Sequence, residues 1–186
     1  MNDKFRQNEQ GKDGVGTAKE CTYLALFVAL VIAAQLAFAA IPGVEVVTLL
    51  FVVYSFVFGA RRGMLSATAF SCLRQIVFGV YFNVLALYLI YYNLLCLIFG
   101  LLGRKGAAGG KRWISLTVIA CIATAFFTLL DNILTILWNG FSARVARVYI
   151  YASLPVMFSQ CVCTILTMAI FFLPLQRAFY IIKKGR

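Results

Sequence analysis

Residues 22–40 of this chain read TYLALFVALVIAAQLAFAA, a run of nineteen residues without a charged side chain. A helix needs about 20 mainly apolar residues to cross the hydrocarbon core of a membrane, so this run is long enough for one transmembrane helix. Five more apolar runs follow, at residues 46–59, 64–81, 84–102, 114–138 and 148–174. The second run is short and must sit between longer neighbours or borrow from its flanks. The sequence therefore predicts an all-α integral membrane protein with six transmembrane helices in a compact bundle.

The basic residues fall mainly on one side of the membrane when these six runs are threaded through it. Three of the seventeen Lys and Arg residues do not: Arg74 lies within a span, and Arg144 and Arg147 lie on the opposite side. The others lie before the first run, after the second and fourth runs, and at the end of the chain. By the positive-inside rule, both termini are predicted to be cytoplasmic.

The composition predicts one membrane domain and a short tail. The chain is 63% hydrophobic and 12% charged, far from the composition of a soluble domain. Residues 1–19 are polar and predict a disordered cytoplasmic tail, and residues 20–186 form a single domain. The net charge of +11 lies in the cytoplasmic loops, where attraction to anionic lipid headgroups explains it without a nucleic-acid partner. The glycine-rich loop 103–110, GRKGAAGG, lacks the spacing of a phosphate-binding loop.

The cysteines give no sign of a metal site. Six cysteines occur without a CxxC pair, and the chain has no histidine. We interpret them as small packing residues and predict no metal, no cofactor and no catalytic residue. Proteolysis within the membrane by a Ser–His pair is excluded because histidine is absent, so we do not expect an enzyme.

Four alanines recur at intervals of four along the first run: Ala25, Ala29, Ala33 and Ala37. On a helix this spacing places small side chains along one face, and such faces are contact surfaces between helices in a membrane. The contact is either internal, against another span, or external, with a separate membrane subunit. Spacing alone leaves both alternatives open.

Three ionisable residues lie at or near membrane depth: Glu45, Arg74 and Asp131. An unpaired charge there costs about 2.5–3.5 kcal/mol on insertion scales, so each should pair or face a wet cavity. An ion pair of Arg74 with Asp131 or with Glu45 is one expectation, and a place in a ligand pocket is the other.

The run that contains Asp131 and two other runs carry further polar residues on one face. The fifth run carries a polar stripe at steps of three and four from Thr117 to Trp138, and the sixth carries a similar face from Ser153 to Thr167. The fourth adds Tyr88, Tyr91 and Tyr92 on one side. Converging polar and aromatic faces are what a small polar ring compound requires, so we predict a pocket that opens outward.

With these features the chain resembles the substrate-binding S components of energy-coupling factor (ECF) vitamin transporters. The resemblance covers nearly all of the chain after residue 19. It rests on six spans in under 200 residues, the AxxxA face of the first span, the segment 41–63 (IPGVEVVTLLFVVYSFVFGARRG), and Asp131 and Asn132 within TLLDNILT.

The resemblance implies a location in the cell membrane of a prokaryote and separate roles for several subunits. An S component binds a vitamin-like small molecule from outside and docks on a membrane-embedded T component that carries two ATPase subunits. Ala25, Ala29 and Ala33 would then form the docking face. The pocket would be built from the outer halves of spans three to six and the outer loops. The predicted substrate-binding residues are Glu45, Arg74, Tyr81, Asn83, Tyr88, Tyr92, Asp131, Asn132, Trp138 and Gln160.

The identity of the substrate stays open at this point. The tyrosines and Trp138 favour a heterocycle that can stack, Arg74, Arg144 and Arg147 favour an anion, and the two carboxylates favour a cation. Two other functions also stay open. One is a stand-alone secondary transporter with Asp131 and Glu45 as proton carriers, and the other is a six-span scaffold protein without a pocket, as in cell-wall assembly.

Overall fold

The computed structural model describes residues 18–39, 46–104, 106 and 111–184, and within this part of the chain all regular structure is α-helical. The six helices, in chain order, are α1 (Ala18–Phe38), α2 (Val46–Phe58), α3 (Ala60–Phe78), α4 (Phe82–Gly103), α5 (Lys111–Asn139) and α6 (Ala143–Lys184). The predicted all-α architecture is therefore confirmed. Most of the predicted tail, Glu45 and most of the glycine-rich loop lie outside the described residues.

Four of these helices are long and apolar enough to cross a membrane, namely α1, α4, α5 and α6. The helix α2 is apolar but has only 13 residues. The helix α3 has 19 residues but carries Arg61, Arg62 and Arg74 and several small polar side chains, which lower its hydropathy. Of the six predicted spans, four correspond to helices with the length and the composition that a membrane span requires. These four helices suggest a membrane protein.

The short helix α2 forms the centre of the bundle. Every residue from Val47 to Val57 is buried, and the helix contacts all five of the others. This position explains its composition, because a helix that is apolar all round must be covered on every side. It also agrees with the expectation that the short run sits between longer neighbours.

The helix α3 begins and ends earlier than the run 64–81 predicts. It starts at Ala60, directly after Gly59, and stops at Phe78 because Gly79 adopts a φ of +97°. With a ψ of 151° this residue lies outside the helical region, and glycine adopts such a conformation without steric cost. Tyr81 therefore lies beyond α3, although the run 64–81 predicts it within the third span.

The helix α6 is longer than the predicted run 148–174 and has 42 residues. Pro174 lies inside this helix and does not end it. A proline removes one backbone hydrogen bond and can bend a helix without ending it. Packing beyond the proline continues the helix. The ring of Phe179 contacts the rings of Phe27 in α1 and Tyr54 in α2 at centroid distances of 6.3 and 6.1 Å.

Polar contacts join six helix ends in three pairs at one end of the bundle, which we call the basic end. Arg62 at the start of α3 donates to the carboxylate of Glu20 at the start of α1. The ammonium of Lys183 near the end of α6 donates to the carbonyl of Val57 in α2 at 2.7 Å. Arg112 at the start of α5 donates to the carbonyl of Leu102 in α4. The helix ends that carry the basic residues thus meet on one side.

Candidate functional site

A cavity of about 200 Å³ lies near the opposite end of the bundle, and we call it the first cavity. It is bounded by α1, α2, α4, α5 and α6. Its walls are Ala34, Gln35, Phe38, Ala39, Val46, Val47, Tyr88, Tyr92, Phe127 and Gln160. Apolar and aromatic side chains dominate this set, and the two glutamines add amide groups, which is the usual composition of a small-molecule pocket.

Gln35 is the polar side chain that α1 contributes. Its amide nitrogen donates to the hydroxyl of Tyr88 at 3.2 Å, which joins α1 to α4 across the cavity wall. Its amide oxygen is buried without a hydrogen-bond partner in the described chain. A buried acceptor without a donor is costly, so this oxygen is suited to receive a hydrogen bond from a molecule in the cavity.

A second cavity, of about 260 Å³, lies between α5 and α6. Its walls are Phe127, Thr128, Asp131, Asn132, Tyr149, Ala152, Ser153, Val156 and Gln160. Phe127 and Gln160 belong to both cavities, so these two side chains lie where the cavities meet. The polar groups of the second cavity are two hydroxyls, two amides, a phenol and one carboxylate.

Hydrogen bonds between α5 and α6 position the polar side chains of the second cavity. The hydroxyl of Thr128 donates to the amide oxygen of Gln160 at 2.7 Å. The amide of Asn132 donates to the hydroxyl of Ser153, also at 2.7 Å. The two polar faces predicted from the spacing thus meet in the structure, and part of their polarity serves to join the helices.

Aromatic rings form the wall of the first cavity on the α4 side. The rings of Tyr88 and Tyr92 meet edge to face at 5.2 Å, and Tyr91 contacts Phe127 at 4.7 Å. Tyr92 also contacts Phe51 in the buried helix α2 at 4.8 Å. Such edge-to-face and offset contacts hold rings in defined orientations, so the wall is rigid.

Arg74 does not form the predicted ion pair with Asp131. Its guanidinium lies over the rings of Phe78 and Tyr88, 4.8 and 4.6 Å from their centroids. Within the described residues the ion pair present is that of Arg62 with Glu20. The rings of two aromatic neighbours satisfy part of the charge of Arg74, which a sequence-based pairing of opposite charges does not anticipate. The alternative pair with Glu45 stays a prediction, since Glu45 lies outside the described residues.

The structure brings together five of the predicted site residues. Tyr88, Tyr92 and Gln160 line the first cavity, and Asp131, Asn132 and again Gln160 line the second. Four others line neither cavity: Arg74, Tyr81, Asn83 and Trp138. Tyr81 and Trp138 are 59% and 66% exposed, because both lie at helix ends where no neighbouring helix covers them.

Gln35 and Phe127 are among the cavity residues that were not predicted from the sequence. Gln35 is the single amide within the first apolar run, and that isolation is a signal from which a buried polar role could have been inferred. Phe127 carries no such signal, because it is one of many aromatic residues in apolar surroundings.

The alanine face of α1 points away from the bundle. Ala25, Ala29 and Ala33 are exposed, whereas Val28 and Val31 on the other side are buried. Internal packing therefore does not explain the alanine spacing within the described chain. Beside this face runs a groove of about 410 Å³ between α1, α2 and α6, lined mainly by apolar side chains that include Leu26 and Leu30.

Comparison with known proteins adds no relative. No protein-family model matches the chain, and neither a curated protein nor a solved structure shows significant similarity to it. Any assignment of function therefore rests on the residues and the geometry described above. Among the described residues, no three His, Cys, Asp or Glu side chains lie close enough together to hold a metal ion.

Proposed function

We propose that this chain is a membrane-embedded substrate-binding subunit of an ECF-type importer, the S component. It captures a vitamin-like small molecule and delivers it to a T component and two ATPase subunits. One observation carries the proposal. Two adjoining cavities, lined by aromatic rings and by amide, hydroxyl and carboxylate groups, lie between the helices of a bundle that has the hydropathy of a membrane protein.

The size of the two cavities supports a small-molecule ligand. Together they reach the lower part of the range of about 300–1,000 Å³ that ligand pockets occupy. Polar groups buried in a membrane bundle are costly unless they serve a function. The orphaned amide oxygen of Gln35 and the carboxylate of Asp131 both line this space, which makes recognition of a ligand the economical explanation for their presence.

The distribution of basic residues supports one orientation of the helical bundle in the membrane. The basic end contains the starts of α1, α3 and α5 and the ends of α2, α4 and α6, and the positive-inside rule favours a cytoplasmic location for such an end. The cavities lie in the other half, beside the end of α1 and the start of α2. In this orientation both termini are cytoplasmic, all six helices belong to the membrane domain, and the pocket opens to the outside.

The alanine face supports a docking role. Ala25, Ala29 and Ala33 are exposed on a helix that is apolar enough to lie in lipid, and small side chains let a second helix approach closely. In the proposed function this face and the groove beside it contact the T component. The ATPase subunits supply the energy, and this chain binds without pumping.

The first test of this function is mass spectrometry of small molecules that co-purify with the full chain. The protein is expressed alone in a vitamin-rich medium, solubilised in detergent and purified without added ligand. We expect one compound at about one molecule per chain. A folded preparation that retains no compound from the medium would contradict the proposed function.

A second candidate function has one observation in its favour. The carboxylate of Asp131 lines a cavity and forms no ion pair within the described chain, as a proton-carrying residue of a secondary transporter would. Purified chain in proteoliposomes distinguishes the two functions. Uptake by this chain alone, abolished by an uncoupler, would establish the secondary transporter, whereas binding without uptake agrees with the S component.

A further inference from the structure

From the charges around the paired cavities we infer that the ligand is a cation, with a flat aromatic part and a positively charged nitrogen that faces Asp131. This inference rests on the proposed binding function and names the class of substrate. The sequence left the charge of the ligand open, because basic and acidic residues lay in the same part of the chain. The geometry separates them.

None of the three basic residues Arg74, Arg144 and Arg147 is among the residues that line the cavities. Arg74 lies against Phe78 and Tyr88 and lines neither cavity. Arg144 is exposed, and Arg147 is exposed with its Nε donating to the carbonyl of Ala143. Within the described chain, no Lys or Arg side chain lines either cavity. An anionic ligand would therefore find no countercharge there.

The carboxylate of Asp131 is the charged group that the described residues present to the ligand space. It forms no ion pair within the described chain. A carboxylate in a partly desolvated cavity attracts a cation and repels an anion more strongly than it would in water. A charged nitrogen on the ligand would supply the missing partner.

The remaining walls suit the same chemistry. The faces of aromatic rings attract cations, and Tyr92, Phe127 and Tyr149 line the two cavities. The amide oxygen of Gln35 is a buried acceptor without a donor, so it favours a ligand that carries an N–H group. Each cavity exceeds the roughly 150 Å³ that is enough to hold a benzene ring, so a ring in one cavity and the charged group in the other fit the available space.

The probe for this inference is one extract of yeast small molecules, separated on ion-exchange resins into cationic, neutral and anionic pools. Each pool is added to the purified full chain, and the thermal midpoint Tm and the retained compounds are measured, the latter by mass spectrometry. We expect the cationic pool alone to raise Tm, by about 5 °C or more, since a ligand well above its Kd stabilises the folded state.

Three variants make the test specific to Asp131. Asp131→Asn keeps the size of the side chain but removes its charge, and we expect at least a tenfold loss of affinity for the compound retained from the cationic pool. Asp131→Glu keeps the charge and should retain part of the affinity. Arg144→Gln changes the charge by one unit outside the cavities and should bind like the unmodified chain.

The outcomes separate the two levels of the proposal. Stabilisation by the neutral or anionic pool, or full affinity in Asp131→Asn, would overturn the cation inference and leave small-molecule binding in place. If no pool raises Tm and no compound is retained, the proposed function fails, and the inference that rests on it fails with it.

Discussion

Two glycines determine how closely α4 approaches the turn between α2 and α3. A Cβ atom at Gly100 would lie 2.3 Å from the Cα and the nitrogen of Ala60, and one at Gly103 would lie 2.0 Å from the carbonyl oxygen of Phe56. These neighbours are backbone atoms, which cannot rotate away as a long side chain can. Close backbone approach of this kind is how helices pack where lipid replaces water.

We expect Gly100→Ala to destabilise the bundle by about 3 kcal/mol, because overpacking against backbone forces helices apart. For a chain of this size that is a fall in Tm of about 6 °C or more, measured in detergent. Gly106→Ala is the matched control. Its Cβ would meet no atom within 4 Å, and only the strain of a φ of +92° remains, about 1–2 kcal/mol. Equal effects of the two substitutions would contradict the close packing.

Lys183, near the end of α6, contacts the end of α2. Its ammonium donates to the carbonyl of Val57, one of the last carbonyls of α2, which have no partner within that helix. We expect Lys183→Met, which keeps the apolar stem, to cost about 1 kcal/mol in the free energy of unfolding. The exposed neighbour Lys184→Met should cost nothing measurable. Denaturant unfolding of both variants tests the contact, and an identical result for the two would exclude it.

At the scale of helices, α5 and α6 are joined by a row of polar contacts. The hydroxyls of Thr124 and Thr164 lie 2.9 Å apart in the buried part of this interface. The bonds of Thr128 and Asn132 continue the row toward the second cavity. The row therefore holds the cavity walls in register as well as joining the helices.

A double-mutant cycle with Thr124→Val and Thr164→Val measures this contact directly. Hydrogen bonds between membrane helices contribute about 0.6 kcal/mol on average, so we expect a coupling energy near that value. The same cycle with Thr124→Val and Thr167→Val is the control, since Thr167 bonds to carbonyls of its own helix. Strict additivity in the first cycle would mean that the two hydroxyls do not interact.

The helices differ in how far the sequence predicts them. Long apolar runs predict α1, α4 and α5 within a few residues, because the length of a span is dictated by the thickness of the membrane. The early end of α3 and the continuation of α6 through Pro174 were not predictable from hydropathy, since a backbone angle at Gly79 and tertiary packing of Phe179 decide them. Spacing predicts the polar faces of α5 and α6, but it does not identify the helix that each face contacts.

At the scale of the molecule, the first cavity and the alanine face lie on different sides of α1. Gln35 points into the bundle toward Tyr88, and Ala29 and Ala33 are exposed on its outer side. A single helix thus contributes to both parts of the proposed function. The two parts can be disturbed separately, because a larger side chain on the outer face need not alter the cavity.

We expect the double variant Ala29→Leu and Ala33→Leu to lose uptake in cells that contain the T component and ATPases, while ligand binding by the purified chain stays unchanged. Bulky side chains keep a partner helix at a distance. Ala169→Leu, an exposed alanine on α6, is the control and should transport normally. Loss of binding in the double variant would show that the face supports the fold and is not a docking surface.

The most direct test of the central claim fills the cavities and counts the bound ligand. Ala34 lines the first cavity and Ala152 the second, so Ala34→Phe and Ala152→Phe remove space without removing a polar group. The amount of compound that co-purifies per chain is measured by mass spectrometry, with Ala169→Phe as the exposed control. The account predicts about one molecule per chain in the unmodified protein and the control, and a loss of at least tenfold in each cavity variant with folding intact. Full retention in both filled variants, or an empty unmodified protein, would contradict it.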